Sequence, residues 1–395
     1  MLLVEQHIIK KNKPLYKELD KITFLSKNLY NQALYQIRQE YFNTKKYLGF
    51  VSLANKMSTE KQDDYVALPR KVSQWVLKQV DKAFISFFGS LKSDKIRHKP
   101  HIPKYLPKNG RNMLTFTNQA ISNKELKNNY LKLSGCNYKI KVKHTNIKQV
   151  RVLPKGEHFV IEIIYEEMEN ANIKSDSYSG IDLGVNNLAT IGGNKTKPFI
   201  INGKPLKSVN QYYNKKLSKL RSRQDECKNK QVNSKKIKNL TSKRNNKIKN
   251  YLHKASKILV NHLVSNQVSI VVIGHNKEWK QDINIGAANN QTFTQIPFNQ
   301  FINMITYKAK LKGIEVIERE EKYTSKCSFI DNEDICKHAE YLGKRIKRGL
   351  FRSNNGMIIN ADLNGALNIL RKEIPNAFNG YGIEVCSTPV VLTIK

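Results

Sequence analysis

Gly180-Ile181-Asp182-Leu183-Gly184-Val185-Asn186-Asn187-Leu188-Ala189-Thr190 sets one carboxylate inside an otherwise apolar strand. A buried carboxylate is unstable unless hydrogen bonds or a cation satisfy it. Alone, Asp182 also suits a plainer role as a turn residue beside glycine. Outward from it, Ser179–Gly184 reads as one strand, Asn187–Ile191 as a second and Pro198–Ile201 as a third. Residues 205–265 turn helical, with Leu217, Leu220, Ile237, Leu240, Ile248, Leu252, Leu259 and Leu263 spaced along them. Val268–Ile273 is a continuous β-branched run, the mark of a strand buried on both faces. A helix near Pro297–Leu311, a strand at Gly313–Ile317 and a last helix at Asp362–Leu370 complete this half.

The order is three strands in hairpins, helix, strand, helix, strand, insert, helix. That order matches the RNase H-like nuclease fold, an α/β architecture. Its first strand is central, the fourth lies beside it and the fifth lies next to the fourth. Carboxylates near those strand ends converge on one edge of the sheet. The second acid is Asp362, in Ile359-Asn360-Ala361-Asp362-Leu363-Asn364-Gly365-Ala366-Leu367-Asn368-Ile369. Alone it reads as a helix cap or first-turn residue. The two acids lie 180 residues apart in the right fold order, and together they say more than either does singly.

The N-terminal half has a different rhythm. Leu2–Ile9 reads as a strand. Lys13 to about Ser90 is helical, including a helix over about Pro69–Leu91. Short strands follow at Leu114–Thr117, Leu131–Leu133, Ile140–Val142 and Phe159–Tyr165, with Pro- and Asn-rich turns between them. This pattern predicts an α+β domain, a small β-barrel interrupted by a helical insert.

The 395 residues carry a net charge of +37, with 39% hydrophobic residues. The apolar content supports a real core. The charge calls for a polyanion, and nucleic acid is the default one. Residues 204–254 alone hold 17 Lys or Arg against Asp225 and Glu226. No run approaches the ~18 apolar residues of a membrane helix. The first residues, Met1–His7, lack the pattern of a secretory signal. Five scattered cysteines, with no CxxC pair, fit a reducing cytosol.

GIDLGVNNLAT, YTSK and ADLNGALNI resemble the three RuvC signatures of the TnpB family, RNA-guided DNA nucleases of bacterial insertion elements. The likeness is strong over 178–372 and weaker over 1–175. It implies a basic protein that binds a guide RNA derived from the transposon end. Such a protein reads a short motif beside its double-stranded DNA target and pairs RNA with the target strand. It implies hydrolysis with two Mg²⁺ or Mn²⁺ ions held by about three carboxylates. It also implies a division of the chain. A wedge-like barrel spans 1–12 and 93–175, and a recognition insert spans 13–92. The RuvC-like nuclease spans 176–323 and 358–372, a basic insert 324–357, and a tail 373–395.

The sequence departs from the family twice. Most members end the fourth strand with a catalytic Glu; here Gly274 stands in that place. Either the enzyme is dead or another acid substitutes. Glu321, then Glu320, then Glu278 are the candidates, and Glu318–Ser325 resembles branches with a relocated Glu. Asp182, Asp362 and one of these are then the metal ligands. Most members also have two CxxC pairs in the insert. Cys327, Cys336 and His338 do not make a tetrahedral site, which predicts no structural zinc.

Nucleic-acid contacts follow from charge and resemblance. Lys71, Gln74 and Lys78 sit on the helix where the family reads its DNA motif, and Gln74 suits an adenine edge. Lys235, Lys236, Arg244 and Lys247 serve the guide RNA or heteroduplex. Arg345, Arg348 and Arg352 serve phosphates from the insert. Two other functions stay open: a non-cleaving RNA-guided repressor, motivated by Gly274, and a DNA transposase or its accessory protein.

Overall fold

The computed structural model describes residues 1–93, 100–226, 234–276, 286–381 and 383–394. Glu278 lies outside these residues. The chain divides into two compact units, 1–168 and 169–395.

The first unit runs β1 (Leu2–Lys10), α1 (Pro14–Thr44), α2 (Phe50–Thr59), α3 (Asp63–Ala67), α4 (Arg70–Leu91), β2 (Leu114–Thr117), α5 (Asn123–Lys127), β3 (Tyr130–Lys132), β4 (Lys139–Lys141), β5 (Ile147–Pro154) and β6 (His158–Glu166). Pro14, whose fixed φ suits a first helical turn, starts α1. Leu15, Leu19, Ile22, Leu29, Ala33 and Ile37 face inward at three-, four- and seven-residue steps. Val72, Val76, Val80 and Phe84 of α4 do the same. Helices and strands share one core, where Leu19 and Val76 join Val150 and Ile161.

The strands correct one expectation. They form an open antiparallel sheet in the order β1-β6-β5-β2, and β3 pairs only with β4. Among the described residues no barrel closes. β5, missed in the sequence, pairs both β2 and β6. Its Ile147, Val150 and Val152 are buried, but Lys148, Gln149 and Arg151 between them mask the alternation.

The second unit runs β7 (Tyr178–Leu183), β8 (Asn187–Gly193), β9 (Phe199–Asn202), α6 (Lys204–Glu226), α7 (Lys235–Ser265), β10 (Ile270–Gly274), α8 (Ala287–Thr294), α9 (Phe298–Leu311), β11 (Glu315–Arg319), β12 (Lys344–Lys347), β13 (Leu350–Arg352), β14 (Ile358–Asn360), α10 (Ala361–Glu373) and β15 (Val390–Leu392). The main sheet has the order β11-β10-β7-β8-β9-β15. β7, β8 and β9 are antiparallel. β10 runs parallel to both β7 and β11. The expected centre and neighbours are therefore present. The tail adds a sixth strand, since β15 lies parallel to β9.

Ile181, Ile191, Val271 and Ile273 pack one sheet face against Leu252 and Leu259 of α7 and Phe301 and Ile305 of α9. On the other face Val272 meets Ile369 and Leu370 of α10. The basic insert folds as the small sheet β12-β13-β14. There the Glu333 carboxylate accepts the Ser328 N–H at 2.6 Å and the Leu342 N–H at 2.9 Å. The Cys327 thiol is buried, and the Cys336 sulfur lies 3.3 Å from His338 Nε2.

Candidate active site

The site begins with how closely α10 lies on the sheet. Gly180 and Gly192 face each other across β7 and β8. A Cβ at Gly180 would stand 2.1 Å from the Ala366 carbonyl oxygen, so only glycine admits the helix there. The next pair on the same face is Asp182 and Thr190. Asp182 Oδ2 points at α10, 3.0 Å from where a Cβ on Gly365 would lie. β10 pairs Val272 with Gly180. By the two-residue period of a strand, Gly274 reaches the same face at the level of Asp182.

Glu321 fills that place. Its Oε2 lies 3.0 Å from the position a Cβ on Gly274 would take. Asn276 holds it from both ends. Asn276 Nδ2 donates to Glu321 Oε1 at 3.2 Å, and the Glu321 N–H donates to Asn276 Oδ1 at 3.1 Å. Glu320, the other described candidate, is exposed, and its carbonyl oxygen accepts Lys372 Nζ at 2.9 Å.

Asp362 arrives from the first turn of α10. It is not the cap: Asn360 Oδ1 accepts the N–H groups of Asp362 and Leu363 at 3.0 and 3.1 Å. The Asp362 carboxylate instead accepts Asn187 Nδ2 at 2.6 Å and Arg345 Nη2 at 2.9 Å. Two buried asparagines of α10 anchor the segment after Glu321. Asn368 Nδ2 donates to the carbonyls of Thr324 and Cys327 at 3.0 and 2.8 Å. Asn364 donates to Cys327 O and accepts the Phe329 N–H, each at 2.9 Å.

Burial raises the Asp182 carboxyl well above the usual range, and the charges of Glu321 and Asp362 add to the rise. The Arg345 charge and the Leu183 N–H oppose it. Burial also pushes Glu321 up to about 7. Asp182 thus senses both other carboxylates, and it lines with Asp362 a cavity of about 830 Å³. Lys204, Lys207, Arg345 and Arg348 line that cavity together with Asp182 and Asp362. Crowded oxygen donors whose mutual repulsion a dication would relieve fit Mg²⁺ or Mn²⁺ in kind. Among the described residues, no three His, Cys, Asp or Glu side chains stand close enough to hold one ion as placed. Arg345 and Asn187 turn Asp362 to themselves instead.

The other expected contact residues scatter. Lys71, Gln74 and Lys78 lie on α4 in the first unit; Lys71 is exposed, and Lys78 Nζ lies 4.9 Å from the Phe50 ring centre. Lys235, Lys236 and Lys247 are exposed on α7. Arg244 points inward: it donates to Asn210 Oδ1 and Gln295 O at 2.8 Å and to Asn245 Oδ1 at 2.9 Å, joining α7 to neighbouring segments. Arg345 pairs with Asp362, Arg348 lines the cavity and Arg352 is exposed at the end of β13. Asn187, Asn276 and Thr190 were not singled out in the sequence. Their signals were a hairpin register and a position two residues past a strand end.

A family model described as a probable transposase (OrfB_IS605) matches residues 160–280, and a Cas12f1-like TNB domain model matches 298–369. The TnpB-like protein ORF457 of Acidianus two-tailed virus is 24% identical over 405 residues, covering 91% of this chain and 84% of that protein. These matches support a relationship to the TnpB family. Among solved structures, a Cas12f1–sgRNA–target DNA complex is similar at a TM-score of 0.39 and 16% identity, covering 94% of this chain and 100% of that one. CasPhi-2 (Cas12j) bound to crRNA is similar at 0.44 and 9%, covering 97% and 99%. No helix among the described residues is long and apolar enough to cross a membrane.

Proposed function

We propose that this chain is an RNA-guided DNA endonuclease of a transposable element, with Asp182, Glu321 and Asp362 as its metal ligands. The observation that carries the reading is the Glu321 carboxylate in the volume beside Gly274, level with Asp182. That placement supports a substituted acid over a lost one. Glu320 is exposed and holds Lys372 Nζ only through its backbone carbonyl, which favours Glu321 over it.

Two divalent ions, when bound, would stabilise the attacking and leaving oxygens at the phosphorus. The chain's own residues set the stage for this. α10 shields Asp182 from one side, and Asn276 fixes the Glu321 rotamer. Asn187 orients Asp362. Lys204, Lys207 and Arg348 offer cations to the phosphates of a strand entering the cavity. Arg345 competes with an ion for Asp362 and exchanges that carboxylate for a phosphate as substrate arrives. Exposed Lys235, Lys236 and Lys247 on α7 suit guide RNA, and Lys71 and Gln74 on α4 suit the DNA motif. The domain roles implied by the resemblance, wedge, recognition, nuclease and basic insert, belong to this same proposal.

Cleavage of target DNA with guide RNA and Mg²⁺ tests it. Asp182→Ala and Glu321→Gln abolish cutting, while Glu320→Gln leaves it. Wild-type protein that binds guided DNA without cutting would select the repressor, and strand joining would select a transposase. Loss with Glu320→Gln but not Glu321→Gln would overturn the ligand assignment.

A further inference from the structure

One buried polar group in the cavity has no role in the mechanism above. Thr190 is 1% exposed, lines the cavity and stands directly opposite Asp182 on the neighbouring strand. Its hydroxyl finds no hydrogen-bond partner among the described residues. The other buried unpartnered side-chain atoms there are Arg38 Nε, Gln79 Nε2 and Asn210 Nδ2. Each sits on a side chain with another polar atom that is bonded. Thr190 has only the one polar atom.

A buried hydroxyl without a partner is destabilising, and valine has nearly the same shape and favours strands. The hydroxyl therefore works against the fold at this position. Asp182 is its cross-strand neighbour, yet no hydrogen bond joins them. Both residues line the same polar cavity, which suits a bridging water with several polar partners.

We propose that Thr190 is a positioning residue, whose hydroxyl fixes one water molecule against the Asp182 carboxylate within the reaction cavity. This rests on the nuclease reading of the same site. It assigns the solvent-ordering role to a side chain that is neither an acid nor a cation.

Thr190→Val and Thr190→Ser test it in the full chain. The thermal midpoint, its rise on titration with Mg²⁺ alone, and cleavage of guided target DNA are measured for each. Thr190→Val keeps or raises the metal-free midpoint, because no hydrogen bond to the protein is lost. It lowers kcat at least about tenfold with KM for DNA unchanged, as loss of an outer partner of a metal site does. It needs at least about tenfold more Mg²⁺ for half the midpoint rise. Thr190→Ser restores both. A lower metal-free midpoint in Thr190→Val would show that the hydroxyl is bonded in the fold, and would overturn the inference. So would an unchanged Mg²⁺ response. If wild-type protein responds to Mg²⁺ but never cuts, the nuclease reading fails, and the Mg²⁺ titration still decides the role of Thr190.

Discussion

On the proposed reading, Arg345 serves two partners in turn. Its guanidinium is about half exposed and sits 2.9 Å from Asp362 Oδ1. An exposed ion pair of this kind contributes at most about 1 kcal/mol to stability. Its weight lies in occupying an oxygen of a proposed metal ligand. Arg345→Gln should therefore lower the Mg²⁺ concentration for half-maximal cleavage and raise KM for DNA, because a phosphate partner is lost as an ionic competitor leaves. A Mg²⁺ titration at saturating DNA, beside a DNA titration at saturating Mg²⁺, separates the two. An unchanged Mg²⁺ requirement would show that the pair does not compete with the ion.

At the scale of elements, α10 organises the site through its polar residues as much as its apolar ones. Ile369 and Leu370 pack on Val272, while Asn364 and Asn368 hold the segment that follows Glu321. Asn368→Ala leaves the buried Thr324 carbonyl without its side-chain donor, while Cys327 O keeps Asn364, and should destabilise the fold by about 1–3 kcal/mol. Chemical denaturation reads that loss. Cleavage by the variant, measured where it is fully folded, should fall further because the Glu321 turn is loosened. A second element pair sets a pH dependence. Lys308 of α9 donates to His253 O at 2.8 Å and Ser256 Oγ at 2.6 Å on α7. Burial, with a smaller push from Lys257, lowers it from 10.5 to about 8. Between those values the unfolded chain holds more protons than the folded one, so stability rises with pH across that window. Thermal midpoints from pH 8 to 10.5 should rise in wild type and flatten in Lys308→Met.

Across the whole molecule the governing quantity is charge. A net charge of +37 sets up self-repulsion that a bound polyanion such as nucleic acid would relieve. Affinity for guide RNA should fall steeply with salt. Changing exposed Lys235 and Lys236 to Gln should reduce the logarithmic salt slope by about one per lysine. Arg244→Gln should instead destabilise the protein and leave the slope near wild type, since its donors are engaged inside the fold. Filter binding at several salt concentrations, beside thermal melts, checks both.

Much of this was legible in the residues. Hydrophobic period is local, so the strand order around Asp182, the long basic helices and the start of α10 could be read directly. The β-branched run at β10 announced a strand buried on both faces, and it has a neighbour on each side. Other features depended on groups distant in the chain. The four N-terminal strands stay an open sheet because β3 and β4 pair with each other rather than joining its edges. Asn360 took the cap and freed Asp362. It is Glu321 that stands beside Gly274, and β11 ends at Arg319, after which strand alternation no longer dictates which way a side chain points. There the turn beyond the strand, the hydrogen bonds of Asn276 and the space beside Gly274 made the choice, and each of these exists only once the chain has folded.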